Sequence, residues 1–91
     1  MLNAGVIGLG IGVKHALAYK NHNQVVLKTI CDFEQEKLND VKNKFPDSEI
    51  YTDDRSIFED NDIDIVSISS YDNYHSKQIV KAFENGKHVM T

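Results

Sequence analysis

The sequence of 91 residues has little of what several classes of protein require. Its one cysteine, Cys31, can form neither an internal disulfide nor a paired-cysteine metal site, which is typical of a reducing compartment. There is one proline and no tryptophan, and no linker or repeat divides the chain. The N-terminus has no basic start, and the chain has no long apolar run. Neither a secretory signal nor a membrane span is therefore predicted, and we expect a cytoplasmic protein.

Positive charge is also scarce. The 10 Lys and Arg residues are outnumbered by 14 Asp and Glu residues, giving a formal net charge of −4. Affinity for nucleic acid depends mainly on clustered Lys and Arg, so we expect no nucleic-acid partner and no membrane partner. The acidic stretch at residues 47–72 lacks the regular Asp/Asn spacing of a calcium loop, and no metal site is predicted there or elsewhere.

Short apolar segments alternate with segments of helical periodicity along the whole chain. Predicted strands cover residues 4–8, 25–31, 49–51 and 63–69, and a fifth begins at residue 88. Predicted helices begin near residues 13, 34 and 73, with a single helical turn at residues 57–58. Strands that alternate with helices pair in parallel, so we expect one α/β domain over residues 1–91 with a doubly wound parallel sheet. We expect it to be the front part of a longer protein, truncated after the start of the fifth strand.

The apolar spacing also predicts which face of each helix is buried. The expected inward residues are Val13, Ala16 and Leu17 in the first helix, Leu38, Val41 and Phe45 in the second, and His75, Ile79, Ala82 and Phe83 in the last. Gly86 is the expected left-handed stop of that last helix.

Three glycines lie where the first predicted strand passes into the first helix. Gly8, Gly10 and Gly12 would allow a sharp turn, a close approach of backbone to a phosphate, and tight packing of helix on strand. Together with Ile11 inside the loop they form a candidate binding site for the pyrophosphate of a dinucleotide. The spacing is GxGxG, one residue shorter than the usual GxGxxG, and a tight turn without a ligand is the structural alternative.

Asp32 ends the second predicted strand, twenty residues after Gly12. At this separation a carboxylate meets the adenosine ribose of a dinucleotide, and its charge would repel a 2′-phosphate. NAD is therefore favoured over NADP. The alternative is structural: Asp32 and Gln35 have the spacing of a capping box for the second helix.

Ligands of doubly wound sheets bind outside the carboxyl ends of the strands, where the strand order reverses between the first and fourth strands. This places Ser69, Ser70, Tyr71 and Asp72 beside the ribose and nicotinamide of the cofactor. His75 begins the next helix and is a candidate contact to cofactor or substrate, or else a packing residue.

Three segments together carry a family resemblance: AGVIGLGIGVKH, ICDFEQEKL and DIDIVSISSYDNYHSKQIVKAFENGKHVMT. They resemble the N-terminal domain of the Gfo/Idh/MocA oxidoreductases over essentially the whole chain. The resemblance implies a Rossmann domain that binds NAD or NADP, joined to a second domain that holds the substrate site and the oligomer interface. It also implies hydride transfer between nicotinamide and a carbon of a sugar, a cyclitol or a related compound.

The sequence departs from the family pattern at the loop after the fourth strand and at its own end. Tyr71 stands where the family commonly has Pro, and Asp72 where it commonly has Asn. The family's Glu-Lys-Pro motif, whose Lys is thought to act on the substrate hydroxyl, would follow Thr91, so no catalytic residue is predicted and the chain alone is expected to be inactive.

Two other readings remain open. The chain could be a short nucleotide-sensing module, or an S-adenosylmethionine-dependent methyltransferase, which also has GxGxG after its first strand. Such methyltransferases usually have an acidic residue where this sequence has Val6.

Overall fold

A computed structural model describes residues 1–10, 12–70 and 72–90, without the side chains of residues 72–75. Within these ranges five strands alternate with four helices, in the order β1 (Leu2–Ile7), α1 (Gly12–Lys20), β2 (Val25–Cys31), α2 (Gln35–Val41), β3 (Glu49–Tyr51), α3 (Arg55–Phe58), β4 (Ile65–Ile68), α4 (Asp72–Glu84) and β5 (His88–Met90). None of these four helices is both long and apolar enough to cross a bilayer.

The strands form one parallel sheet in the order β3-β2-β1-β4-β5. From the central β1 the chain first builds outward through β2 and β3, then returns to the other side of β1 for β4 and β5. The strand order therefore reverses between β1 and β4. This arrangement confirms the predicted doubly wound α/β fold.

Each face of the sheet is covered by its own apolar core. On one face α1 and α2 pack against a core that consists of Val6, Leu9, Ala16, Leu27, Ile30, Leu38, Val41 and Phe45. On the other face α3 and α4 pack against Ile7, Cys31, Ile57, Phe58, Ile63, Val66, Ile68 and Ala82. Strands buried on both faces are typical of parallel sheets and explain the nearly continuous apolar runs in the sequence.

Two predicted core residues lie at the surface instead. Leu17 is 39% exposed, because α1 packs on the sheet through the small residues Gly12 and Ala16, and this line of contact passes beside Leu17. Phe83 is 65% exposed, because the contact face of α4 carries Ala82 and the polar Gln78. The predictions for Leu17 and Phe83 were wrong, since helical spacing alone does not distinguish two adjacent apolar faces.

The end of α4 follows the prediction. Gly86 has a φ of +73°, in the left-handed region that favours glycine. The backbone N–H of Lys87 donates to the carbonyl of Ala82 at 3.0 Å, which closes the helix end in the manner of a Schellman motif. The chain is thereby turned back toward β5.

The side chain of Lys87 is buried at the amino edge of the sheet. It is 5% exposed, and its Nζ donates to the carbonyl oxygens of Asp60 at 2.7 Å and Ile63 at 2.9 Å. Burial lowers the pKa of Lys87 from its ordinary value. The ammonium group ties the start of β5 to the loop that leads into β4.

A second lysine reaches the same edge through an irregularity in β2. The register between β1 and β2 shifts so that Lys28 is an extra residue opposite Ala4 and Gly5. Lys28 Nζ lies 2.5 Å from Asp60 Oδ2, and this hydrogen bond raises the pKa of Lys28. Burial acts to raise the pKa of Asp60, but the hydrogen bond and charge of Lys28 prevail and hold it below the ordinary value.

Candidate functional site

The candidate site lies at the carboxyl edge of the sheet, where β1 and β4 end side by side. Gly8 N–H donates to the carbonyl of Cys31 at 2.9 Å, and Ser69 N–H donates to the carbonyl of Ile7 at 2.8 Å. The loop after β1 is therefore held between the ends of β2 and β4. In open α/β sheets this reversal of strand order is where ligands bind.

Gly8 brings the loops after β1 and β4 into backbone contact. Its φ is +90°, and a Cβ at this position would lie 2.7 Å from the carbonyl carbon and oxygen of Ser69 and 2.8 Å from the nitrogen of Ser70. A side chain at residue 8 would be strained and would push the two loops apart. The sharp-turn role expected of one of the three glycines thus falls to Gly8.

The other two glycines differ from Gly8 and from each other. A Cβ on Gly12 would come within 3.2 Å of Val6 Cγ1, so Gly12 lets the start of α1 pack closely on β1. Gly10 is exposed, and a Cβ on it would meet no described atom within 4 Å. None of the described residues therefore fills the space beside Gly10, two positions before the helix.

The start of α1 adds an electrostatic preference to this open space. The first backbone N–H groups of a helix have no partner inside the helix, and the helix dipole places partial positive charge there. The first turn of α1 carries no acidic side chain that would compete for these groups. A diphosphate is the kind of ligand that such a helix start accommodates.

Asp32 is bonded directly to the glycine loop. It is 8% exposed, and its Oδ2 accepts a hydrogen bond from the N–H of Leu9 at 2.8 Å. Its Oδ1 accepts from the N–H of Glu34 at 2.8 Å. The carboxylate therefore orients the loop, and the N–H of Leu9 is committed to Asp32 rather than available to a ligand.

The alternative capping box is not formed. The residue before α2 is Glu34, which makes no side-chain capping bond to the helix, and Asp32 bonds to Glu34 instead of pairing with Gln35. The reason is geometric: the carboxylate of Asp32 is turned toward Leu9 across the end of the sheet. Each carboxylate oxygen retains acceptor capacity beyond its one backbone bond, which is what the hydroxyls of a ribose need.

The side chain next to Asp32 is inert. Cys31 is fully buried, and burial raises the pKa of its thiol to about 12. A thiol is nucleophilic only as the thiolate, so Cys31 supplies no chemistry to the site at neutral pH. Among the described residues, this edge offers backbone N–H groups, the carboxylate of Asp32 and serine hydroxyls, which fit the binding of a dinucleotide.

The loop after β4 is supported by a residue that the sequence analysis missed. Ser70 Oγ donates to Oε1 of Gln78 on α4, and Gln78 Nε2 donates to Asp54 Oδ2 at 3.1 Å. We refer to these three residues as the Ser70 relay. A signal was present, because Gln78 lies four residues before Ala82, on the face predicted to be buried, where a polar residue requires a partner.

The structure thus brings six of the predicted site residues to one edge: Gly8, Gly10, Gly12, Asp32, Ser69 and Ser70. Predictions for Ile11 and Tyr71, and for the side chains of Asp72 and His75, lie outside the described residues. The backbone of Asp72 and His75 belongs to α4, which begins one residue earlier than predicted.

Comparison with known proteins gives a family match over almost the entire chain. The family model for an oxidoreductase family with an NAD-binding Rossmann fold, GFO_IDH_MocA, matches residues 2–91. A myo-inositol 2-dehydrogenase of Thermotoga maritima is 34% identical over 89 residues, which are 97% of this chain and 27% of that protein. A protein of Shewanella putrefaciens named as a glycosyl hydrolase family 109 protein is 33% identical, over 98% of this chain and 22% of its own length.

Solved structures agree with this match. A levoglucosan dehydrogenase in complex with NADH and L-sorbose has a TM-score of 0.84 and 32% identity, covering 98% of this chain and 26% of that one. A scyllo-inositol dehydrogenase from Lactobacillus casei with bound NAD(H) and scyllo-inositol has a TM-score of 0.85 and 28% identity, covering 98% and 27%. The chain spans about a quarter of the length of the curated relatives it matches.

Proposed function

Because the chain belongs to the oxidoreductase family with an NAD-binding Rossmann fold, we propose that it binds NAD at the carboxyl edge of its sheet. The diphosphate would lie against Gly8, Gly10, Ile11 and Gly12 and the start of α1. The observation that carries this proposal is that no described atom lies within 4 Å of where a Cβ on Gly10 would be, two positions before a helix whose first N–H groups have no partner inside the helix.

Asp32 would hold the adenosine ribose. Each of its oxygens accepts one backbone N–H bond and can accept another, so the two together match the two hydroxyls of a ribose. A 2′-phosphate would bring its negative charge against this carboxylate. We therefore propose that NAD is bound in preference to NADP.

The nicotinamide half of the cofactor would lie along the loop after β4. Ser69 and Ser70 support this part of the proposal, because their backbone is in contact with the glycine loop at Gly8. Tyr71, Asp72 and His75 are proposed for the same half from their positions in the sequence after Ser70.

The activity of the whole protein is part of the proposal. We propose that the chain is the cofactor domain of a longer two-domain enzyme that transfers a hydride between NAD and a sugar, cyclitol or related hydroxyl compound. The relatives named as inositol and levoglucosan dehydrogenases support this substrate class. Such an enzyme would work in the cytoplasm, would bind neither nucleic acid nor membranes, and would form homo-oligomers through its second domain.

The test is a titration of the chain with NADH followed by the fluorescence of the reduced nicotinamide, with NAD and NADP as competitors. The Asp32→Asn variant keeps the size of the side chain and loses its charge. We expect about tenfold weaker NADH binding, because the amide has one acceptor oxygen where the carboxylate has two to serve the backbone N–H groups and the ribose. We also expect a smaller preference for NAD over NADP, because the charge that repels a 2′-phosphate is lost.

Asp40→Asn is the matched control, since Asp40 is exposed on α2 and its replacement is expected to leave both measurements unchanged. Unaltered NADH affinity and unaltered cofactor preference in Asp32→Asn would contradict the ribose role. A chain that bound S-adenosylmethionine and not NADH would contradict the proposed function itself.

A further inference from the structure

The Ser70 relay places a buried amide behind the candidate site. Gln78 is 4% exposed although it lies among the apolar residues of the α4 face, and both ends of its amide are hydrogen-bonded. Ser70 follows β4, and Asp54 directly precedes α3. The relay therefore connects the loop proposed to hold the nicotinamide half with the polar start of α3, through the interior of the domain.

The chemistry of the three groups fixes the direction of every hydrogen bond. A carboxylate only accepts hydrogen bonds, so the amide of Gln78 must present Nε2 to Asp54. Its Oε1 then faces Ser70, and because an amide oxygen also only accepts, Ser70 must donate its single hydroxyl proton to Gln78. The Ser70 oxygen then has lone pairs left to accept a hydrogen bond and no proton left to donate.

Because its proton is donated to Gln78, the Ser70 hydroxyl oxygen can pair only with a ligand group that donates a hydrogen bond. Phosphate oxygens only accept hydrogen bonds and cannot pair with it, whereas ribose hydroxyls and a carboxamide NH₂ can donate to it. We infer that Gln78 is a positioning residue that fixes Ser70 as an acceptor for a donor group of the nicotinamide nucleoside. This inference rests on the proposed function and adds to it a residue that lies beneath the loop and would not itself touch the cofactor.

A double-mutant cycle with two ligands tests the inference. The wild-type chain, Ser70→Ala, Gln78→Met and the double variant are each titrated with NADH and with ADP, which has the adenosine and diphosphate but no nicotinamide nucleoside. We expect each single variant to bind NADH about fivefold more weakly, the size of one hydrogen bond. We expect ADP binding to be unchanged within about twofold, and the double variant to bind NADH no more weakly than Ser70→Ala.

Other outcomes contradict the inference in distinguishable ways. If Gln78→Met weakens NADH and ADP equally, its role is structural. If Gln78→Met has its full effect in the Ser70→Ala background, Gln78 does not act through Ser70. If the wild-type chain binds neither ligand, the proposed function fails and the inference fails with it.

A second variant decides the matter if Gln78→Met does not fold. Asp54→Asn keeps the shape of the side chain but can present either its oxygen or its NH₂, so Gln78 is free to turn and to donate to Ser70. We expect NADH to bind at least twofold more weakly and ADP to bind as in the wild type. Asp40→Asn again serves as the control, and equal weakening of NADH and ADP in Asp54→Asn would overturn the inference, because the effect would then not be specific to the nicotinamide half.

Discussion

At the amino edge of the sheet, Lys28 and Lys87 have their ammonium groups engaged by Asp60, the first through its carboxylate and the second through its backbone carbonyl. At the carboxyl edge, no described atom would contact a Cβ on Gly10 in the loop after β1, and the carboxylate of Asp32 after β2 accepts hydrogen bonds from the backbone N–H groups of Leu9 and Glu34. One edge joins its elements through the ammonium groups of two lysines, and the other through backbone contact at Gly8, the carboxylate of Asp32 and the Ser70 relay.

This difference indicates which part of the fold serves stability and which serves binding. Ammonium groups that already donate to protein acceptors leave little capacity for a ligand, whereas a carboxylate with spare acceptor capacity and a helix with no acidic side chain in its first turn can still bind one. Substitutions at the amino edge should therefore change stability alone. Substitutions at the carboxyl edge should change binding, with or without stability.

Gly8→Ala should have the largest effect, because it should reduce both the stability of the fold and the binding of NADH. The φ of +90° strains any L side chain, and the new Cβ would lie 2.7 Å from backbone atoms of Ser69. We expect a loss of about 3 kcal/mol or more in the free energy of unfolding, measured by urea denaturation, together with loss of NADH binding. Wild-type stability in this variant would mean that the two loops are not in contact.

Gly10→Ala, at the same edge, should weaken NADH binding without lowering the stability of the fold. No described atom lies within 4 Å of the added methyl group, and Gly10 is not among the glycines of positive φ. We expect the free energy of unfolding to be unchanged or higher by about 0.5 kcal/mol, because the unfolded chain becomes less flexible. NADH should bind about tenfold more weakly, since the methyl group would occupy space where the diphosphate approaches.

Gly86→Ala is the matched control for this comparison. Its φ of +73° predicts a loss of stability of about 1 kcal/mol without any change in NADH affinity. If Gly10→Ala retained full affinity for NADH, the proposed position of the diphosphate would be wrong.

Lys28→Met should have the smallest effect, at the amino edge, and it should depend on pH. The pKa of Asp60 is held below its ordinary value of 3.8, so the pair stabilises the fold fully above that value and less as the pH falls through the lowered pKa. We expect the variant to lose about 1 kcal/mol near neutral pH and to approach the wild type in strong acid. Urea denaturation from pH 7 to pH 2 measures this, with NADH affinity at neutral pH unchanged.

The order and type of the helices and strands could be predicted from the sequence, because the spacing of apolar residues and the positions of glycines depend on local backbone geometry. The second and third strands agree with β2 and β3 residue for residue. Leu17 and Phe83 could not be assigned, because the side of a helix that packs depends on the size of its neighbours in space. Small residues at Gly12 and Ala16 bring α1 close to the sheet and exclude Leu17 from the contact.

At the candidate site, the sequence could identify residues that act through their type and spacing. The three glycines and Asp32 are of this kind, and the structure gives each glycine a different environment. For Gln78 the spacing indicates a buried polar residue in need of a partner, but it could not identify that partner, Asp54, which lies 24 residues earlier in the chain. Contacts between distant segments are set by the topology and not by local pattern.

The burial of Cys31 has a practical consequence for work with this protein. Its thiol is fully enclosed, and its pKa of about 12 leaves almost no thiolate at neutral pH. Folded molecules will therefore neither cross-link through this sulfur in air nor react with alkylating reagents. A thiol-reactive dye added to a sample will count only the molecules that have opened, which makes the native chain a reporter of its own unfolding without any introduced label.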